Sequence, residues 1–237
     1  MLDQRYEMPL SLVEATQFNS MNLTDYTHVV LVSGTYKDID KKARSHLIDW
    51  IRRGGVLVAM AGGLPWVENT LLKPDSEAGA ASDEERESKQ PVLVGHHFDY
   101  ADYETLRGRH LVSGVILEAE IDRTHPIGFG YTDKVISVFR NTNHLLKVDK
   151  NPFLNVVRYG DRLLLSGHLS PEIQNRLRDS AVVRAERMGQ GAVIRIVDNP
   201  NFRGCWYGTN KLFANALFFG GVIKKTEDPD TWIDPKR

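Results

Sequence analysis

A single cysteine, Cys205, stands among 237 residues, so neither an internal disulfide nor a thiolate-rich zinc cage can form. A basic excess is missing too. The 30 Lys and Arg against 31 Asp and Glu leave a net charge of −1, which offers a nucleic acid no electrostatic footprint. Long apolar runs are absent, the longest being about half of what a bilayer span requires. Met1-Leu2-Asp3-Gln4-Arg5-Tyr6 has neither the basic start nor the apolar core of a signal peptide. Nucleic-acid binding and a membrane-spanning helix are thereby excluded, while scarcity of cysteine leaves the compartment open.

What remains is ordinary for a soluble globular chain: 41% hydrophobic and 26% charged residues, enough for one large α/β domain. The clearest unit runs from Thr27 to Gly63. Val29-Val30-Leu31-Val32 is a β-branched run closed by the turn formers Ser33-Gly34. Ala43, Leu47, Trp50 and Ile51 then recur at helical spacing, with Asp38 or Asp40 placed to cap the start and Gly54-Gly55 to stop the helix. Val56 to Met60 follows as a second apolar strand. Strands apolar throughout suit a sheet covered on both faces, so this reads as a βαβ unit of a mostly parallel, doubly wound sheet.

Further strands are expected at Val115–Glu120, Val135–Phe139, Leu154–Val157 and Leu163–Leu165. Ser170-Pro171-Glu172 opens a helix with serine as cap and proline at N1. Ala181–Glu186 and Ala192–Val197 flank Gly189-Gln190-Gly191 as a hairpin, and Thr209 to Gly220 forms a last helix with a buried face. Leu2 to Tyr6 reads as the end of a helix entering a strand at Pro9–Val13, with no glycine-rich loop before it. The expectation is that an amino-terminal strand is missing and that the chain is part of something longer. Residues 74–91 carry six acids against two bases, too polar to offset their ordering entropy, and are expected to be a mobile acidic loop. The organisation expected is thus one domain over 1–221 and a polar tail over 222–237.

Three stretches carry a resemblance. They are the βαβ unit ending in Met60-Ala61-Gly62-Gly63, the segment Asp122-Arg123-Thr124-His125-Pro126-Ile127-Gly128-Phe129-Gly130-Tyr131, and Asp198-Asn199-Pro200-Asn201-Phe202-Arg203 with Trp206 to Ala216. Together, from about Tyr6 to Gly221, the chain resembles the carboxy-terminal, class I glutamine amidotransferase-like domain of large bacterial zinc carboxypeptidase-like proteins. The resemblance implies a flavodoxin-like fold, with helices on both faces and a carboxy-terminal hairpin. It also implies that Ala61, Gly62 and Gly63 occupy the nucleophile elbow. Where the amidotransferase cysteine would stand, this chain has Ala61, whose methyl group cannot attack an amide. His168 and Glu172 are the relics of the base pair, spaced wider than the usual His-Pro-Glu.

The candidate site residues follow. Ala61-Gly62-Gly63-Leu64-Pro65-Trp66 is a lined surface in which Trp66 fills the old crevice. His125 fixes a turn or lines a relic pocket. Arg203, Trp206, Tyr207, Asn210 and Lys211 form a polar–aromatic cluster in a loop where open α/β sheets place their crevice, or where interface anchors sit. No metal or cofactor is expected in this chain; zinc belongs to a parent peptidase domain. The function expected is a non-catalytic accessory domain, partnered by that peptidase domain or by a second copy. An exported parent would place it in the periplasm or outside the cell. Two alternatives stand beside it. One is a hydrolase with a relocated site at Cys205, or with a metal held by His96, His125 or His168. The other is a small-ligand or sugar module using Trp66, Trp206 and Tyr207.

Overall fold

The computed structural model describes residues 2–72 and 98–233. The acidic stretch 74–91, His96-His97 and the side chain of Trp232 lie outside the described residues.

The βαβ unit forms as expected. Strand β1 (His28–Leu31) leads to helix α1 (Lys41–Arg52) and strand β2 (Val56–Met60), with β1 and β2 parallel. Asp40 caps α1, its carboxylate accepting the Ala43 N–H at 2.7 Å. Ala43, Leu47, Trp50 and Ile51 are the face that α1 buries. Beyond it come helix α2 (Tyr103–Arg109), strands β3 (Val115–Ile121), β4 (Val135–Arg140), β5 (Leu146–Lys147) and β6 (Asn155–Ser166), and helix α3 (Pro171–Arg178). Strands β7 (Ser180–Met188) and β8 (Gly191–Ile196) and helix α4 (Asn210–Phe219) complete the order.

The sheet runs β1-β2-β8-β7-β6-β3-β4, with β5 paired to β7. Here the expectation of a mostly parallel sheet is corrected. Only β1, β2 and β8 run parallel to one another, and every other pairing is antiparallel. The reason lies in the connections: β7 reaches β8 through Gly189-Gln190, and a turn that tight joins only antiparallel strands. The hairpin itself is as expected, but it enters the sheet centre, with β8 beside β2. At Gly191 an added Cβ would sit 2.1 Å from the carbonyls of Ile51 and Gly55, so only glycine lets the hairpin press against the end of α1.

Helices do cover both faces. One core holds α1 and the turns after β2 against Leu57, Ala59 and Val193. The other packs α3 and α4 against Val56, Val58, Met60, Ile194 and Ile196. Two strands expected at Leu154–Val157 and Leu163–Leu165 are one bulged strand, β6. The strand expected at Pro9–Val13 does not form. Pro9 offers no N–H to a ladder, and the segment lies over the ends of the parallel strands instead. Ile223 is buried and its carbonyl accepts from Arg187, so the packed domain continues past residue 221.

Candidate functional site: a cleft over a degenerate elbow

The three parallel strands end together, and at their carboxyl ends opens a cleft of about 1100 Å³. Each strand supplies part of its floor: Val32 and Ser33 after β1, Met60 and Ala61 at the end of β2, Asn199 and Asn201 after β8. Phe213 of α4 forms one wall, and Leu2 to Leu12 the other. This is where open α/β sheets gather ligands, because strand ends and loop backbone converge there.

Ala61 sits at the sharp point. Its φ is +47°, in the left-handed region that costs an L-residue about 1–2 kcal/mol. The Gly62 N–H donates to Ser33 Oγ at 3.1 Å and ties the turn to the loop after β1. Gly63 is pressed so closely on that loop that a Cβ would lie 2.7 Å from the carbonyl oxygens of Leu31 and Val32. Sequence reading found the elbow and its glycines; the strain at Ala61 is visible only in the fold. Ala61→Gly is expected to raise stability by about 0.5–1 kcal/mol, glycine's extra unfolded-state entropy offsetting part of the relieved strain. Urea unfolding measures it, and a loss of stability would show that Ala61 is not held under strain.

The other relics do not join the elbow. His168 is exposed beyond the end of β6, three strands from β2 in the sheet order, and so does not stand beside Ala61. Glu172 is exposed in the first turn of α3, where its carboxyl is held below the usual range, chiefly by a hydrogen bond with its own backbone N–H and then by Ser170. Trp66 does not fill the crevice as expected: it packs on Tyr36 with ring centroids 5.5 Å apart, half-buried against the edge of the core that holds α1. The reason is the course of the chain after Gly63, whose helical turns carry Trp66 away from the strand ends.

His125 fixes its turn. Its Nδ1 accepts the Ile127 N–H at 3.1 Å, and burial pushes the imidazole pKa down, so the ring is a neutral cap. Asn215 of α4 donates to the carbonyls of Ile127 and Phe129 and clamps that turn to the helix. The loop after β8 uses its polar and aromatic groups mostly on itself. The Trp206 indole donates to the Ser137 carbonyl at the outer edge of β4, Arg203 lies over the Phe202 ring, and Lys211 donates to the Gly130 carbonyl beside Tyr131. Asn210 is buried; with its amide turned to satisfy its neighbours, it donates to Asn201 Oδ1, Pro200 O and Trp206 O and accepts from Arg5. Arg5 also lies 4.8 Å over the Tyr207 ring, so it latches the segment Leu2–Leu12 onto the loop that floors the cleft. Cys205 is exposed, and its thiol approaches the Phe202 carbonyl at 3.7 Å. Among the described residues no three His, Cys, Asp or Glu side chains converge as a metal site requires.

Sequence reading missed a buried trio directly behind the cleft. Arg140 is wholly buried at the end of β4; its guanidinium donates to Tyr159 Oη at 2.6 Å and to the His144 carbonyl, and lies 3.5 Å from Asp198 Oδ1. The Tyr159 hydroxyl donates to Asp198 Oδ2 at 3.3 Å. Desolvation raises the Asp198 pKa to about 6, with Arg140 and Tyr159 opposing the rise. Asp198 leads directly into Asn199 and Asn201, so this trio anchors the cleft floor. A signal did exist: Ile136, Val138 and Arg140 share the inward face of β4, and an arginine at an inward register position needs a buried partner.

No protein-family model matches the chain, and no curated protein matches it. Solved structures of similar fold include a ThuA-like protein from Parabacteroides merdae, with TM-score 0.45 and 12% identity over 93% of this chain and 79% of that one. A ThuA-like protein from Bacteroides uniformis gives TM-score 0.41 and 10% identity over 91% and 78%. A cytoplasmic protein from Salmonella typhimurium gives 0.41 and 13% over 90% and 80%. Scores and identities this low describe a likeness of fold and carry no function.

Proposed function

We propose that this chain is a non-catalytic, amidotransferase-like domain whose degenerate elbow floors a small-ligand cleft. One observation supports this above the others: at the carboxyl ends of the parallel strands the turn keeps its strained backbone and its open cleft, while its side chain is a methyl group. The experiment restores the thiol. Ala61→Cys, made in a Cys205→Ser background, is expected to react with a small alkylating agent yet to release no ammonia from glutamine. A thiolate needs a base within hydrogen-bond reach, and His168 is three strands away. Sustained ammonia release would overturn the non-catalytic reading.

A second reading gives this domain a protein partner, the zinc carboxypeptidase-like catalytic domain of a longer protein, which would bring its own zinc. Its support is exposed Phe218 near the end of α4 and exposed Val222 in the turn after it, together with exposed Phe129, which meets Phe219 edge-on. Exposed apolar side chains grouped near one helix end suit a covered surface.

A further inference from the structure

The walls of the cleft select a chemistry, an inference that rests on the reading of the cleft as a ligand site. We propose that its ligand is an uncharged amphiphile, an oxygen-bearing head on an apolar body. Among the described residues no Lys, Arg or His lines the cleft, and the one charged residue that does, Asp3, is exposed. An anion entering would lose hydration and meet no cation in return. A cation would meet only a carboxylate that solvent already screens.

The floor is built for a neutral oxygen. Ser33 Oγ accepts the Gly62 N–H and keeps its own hydroxyl hydrogen to donate. Asn199 Oδ1 accepts the Asn201 backbone N–H at 3.0 Å, and Asn201 Oδ1 accepts from Asn210, so the remaining capacity of both side chains is their NH2 groups. Three neutral polar side chains with donor capacity therefore line the cleft together with Ala61, where a hydroxyl or carbonyl oxygen can meet them at no cost in buried charge.

The rim is apolar. Leu12 is 91% exposed, Val32 53% and Leu10 46%, and all three line the cleft alongside Met60 and Phe213. Apolar surface held in water at the mouth of a cleft is what a hydrocarbon body covers with gain. Donors below and hydrocarbon above fix the orientation, head toward Ala61 and body along Leu10 and Leu12.

The test uses the full chain and three probes of one length: 1-hexanol, hexanoate and hexylammonium. Binding is read from backbone amide shifts of Gly62 and Leu12 in NMR titrations at pH 7.5. The expected result is that 1-hexanol binds at least about tenfold tighter than either charged probe, a difference of about 1.4 kcal/mol. In Val32→Lys, a change at an exposed site that leaves the carbonyl for Tyr36, hexanoate is expected to gain about fivefold and 1-hexanol to weaken. Hexanoate or hexylammonium binding as tightly as 1-hexanol to the unaltered chain would overturn the ligand class and leave the cleft reading standing. Failure of all three probes to shift Gly62 would overturn both. Binding of 1-hexanol unmoved by Val32→Lys would place it elsewhere and overturn the proposal.

Discussion

Arg140→Met is expected to cost about 3–5 kcal/mol at pH 8, because it strips the cation from a buried carboxylate and leaves it only the Tyr159 hydroxyl. Asp198 is 4% exposed and Arg140 not at all, so water cannot replace the lost partner. The same substitution should cost much less at pH 5, and the sign follows from the proton. In the folded chain Asp198 holds its proton up to about pH 6, against 3.8 when unfolded. Its protonated form is therefore favoured by folding, a contribution fully present below 3.8 and lost as pH rises through 6. Without Arg140 the carboxyl holds its proton to still higher pH, so near pH 5 the variant buries a neutral group. Urea unfolding at pH 8 and pH 5 measures both costs. A loss below about 1 kcal/mol at pH 8 would show that the trio does not hold the fold. The consequence would reach the cleft, because Asn199 and Asn201 hang from Asp198.

Gly63→Ala is the second large effect, expected at about 2–3 kcal/mol of lost stability. The new methyl carbon would stand 2.7 Å from two backbone oxygens, and neither is the end of a flexible side chain that could swing aside. The loop after β1 must retreat, and Val32 and Ser33 with it, so binding in the cleft should fall as well. Ala61→Gly, two residues earlier, should act in the opposite direction on stability. Opposite signs at neighbouring positions are the signature of a tight elbow. A Gly63→Ala variant as stable as the parent would mean that the approach between the turn and the loop is looser than described.

Residue patterns alone determined a good deal. The βαβ unit was legible because Ala43, Leu47, Trp50 and Ile51 repeat at helical spacing between two apolar strands, a local signal. The elbow was legible because paired glycines after such a strand have few other uses. The hairpin at Gly189-Gln190 and the Ser170 cap announced themselves through turn and cap chemistry, also local.

Tertiary structure decided the rest. Strand order and direction depend on which strands meet across the chain, and β8 slides beside β2 although 130 residues separate Met60 from Gly191. The sheet thus became mixed where apolar runs alone suggested a parallel one. Pro9–Val13 has the look of a strand, yet among the described residues no neighbour pairs with it, and it walls a cleft. Trp66 has the look of a ligand platform, yet the helical turns after Gly63 carry it onto Tyr36 at the edge of the core. Arg140, Tyr159 and Asp198 lie on three separate strands or strand ends, and no spacing in the chain links them. Periodicity and turn chemistry act over a few residues and are written in order. Pairing, burial and the meeting of charges are settled between distant residues, and only the folded chain brings those together.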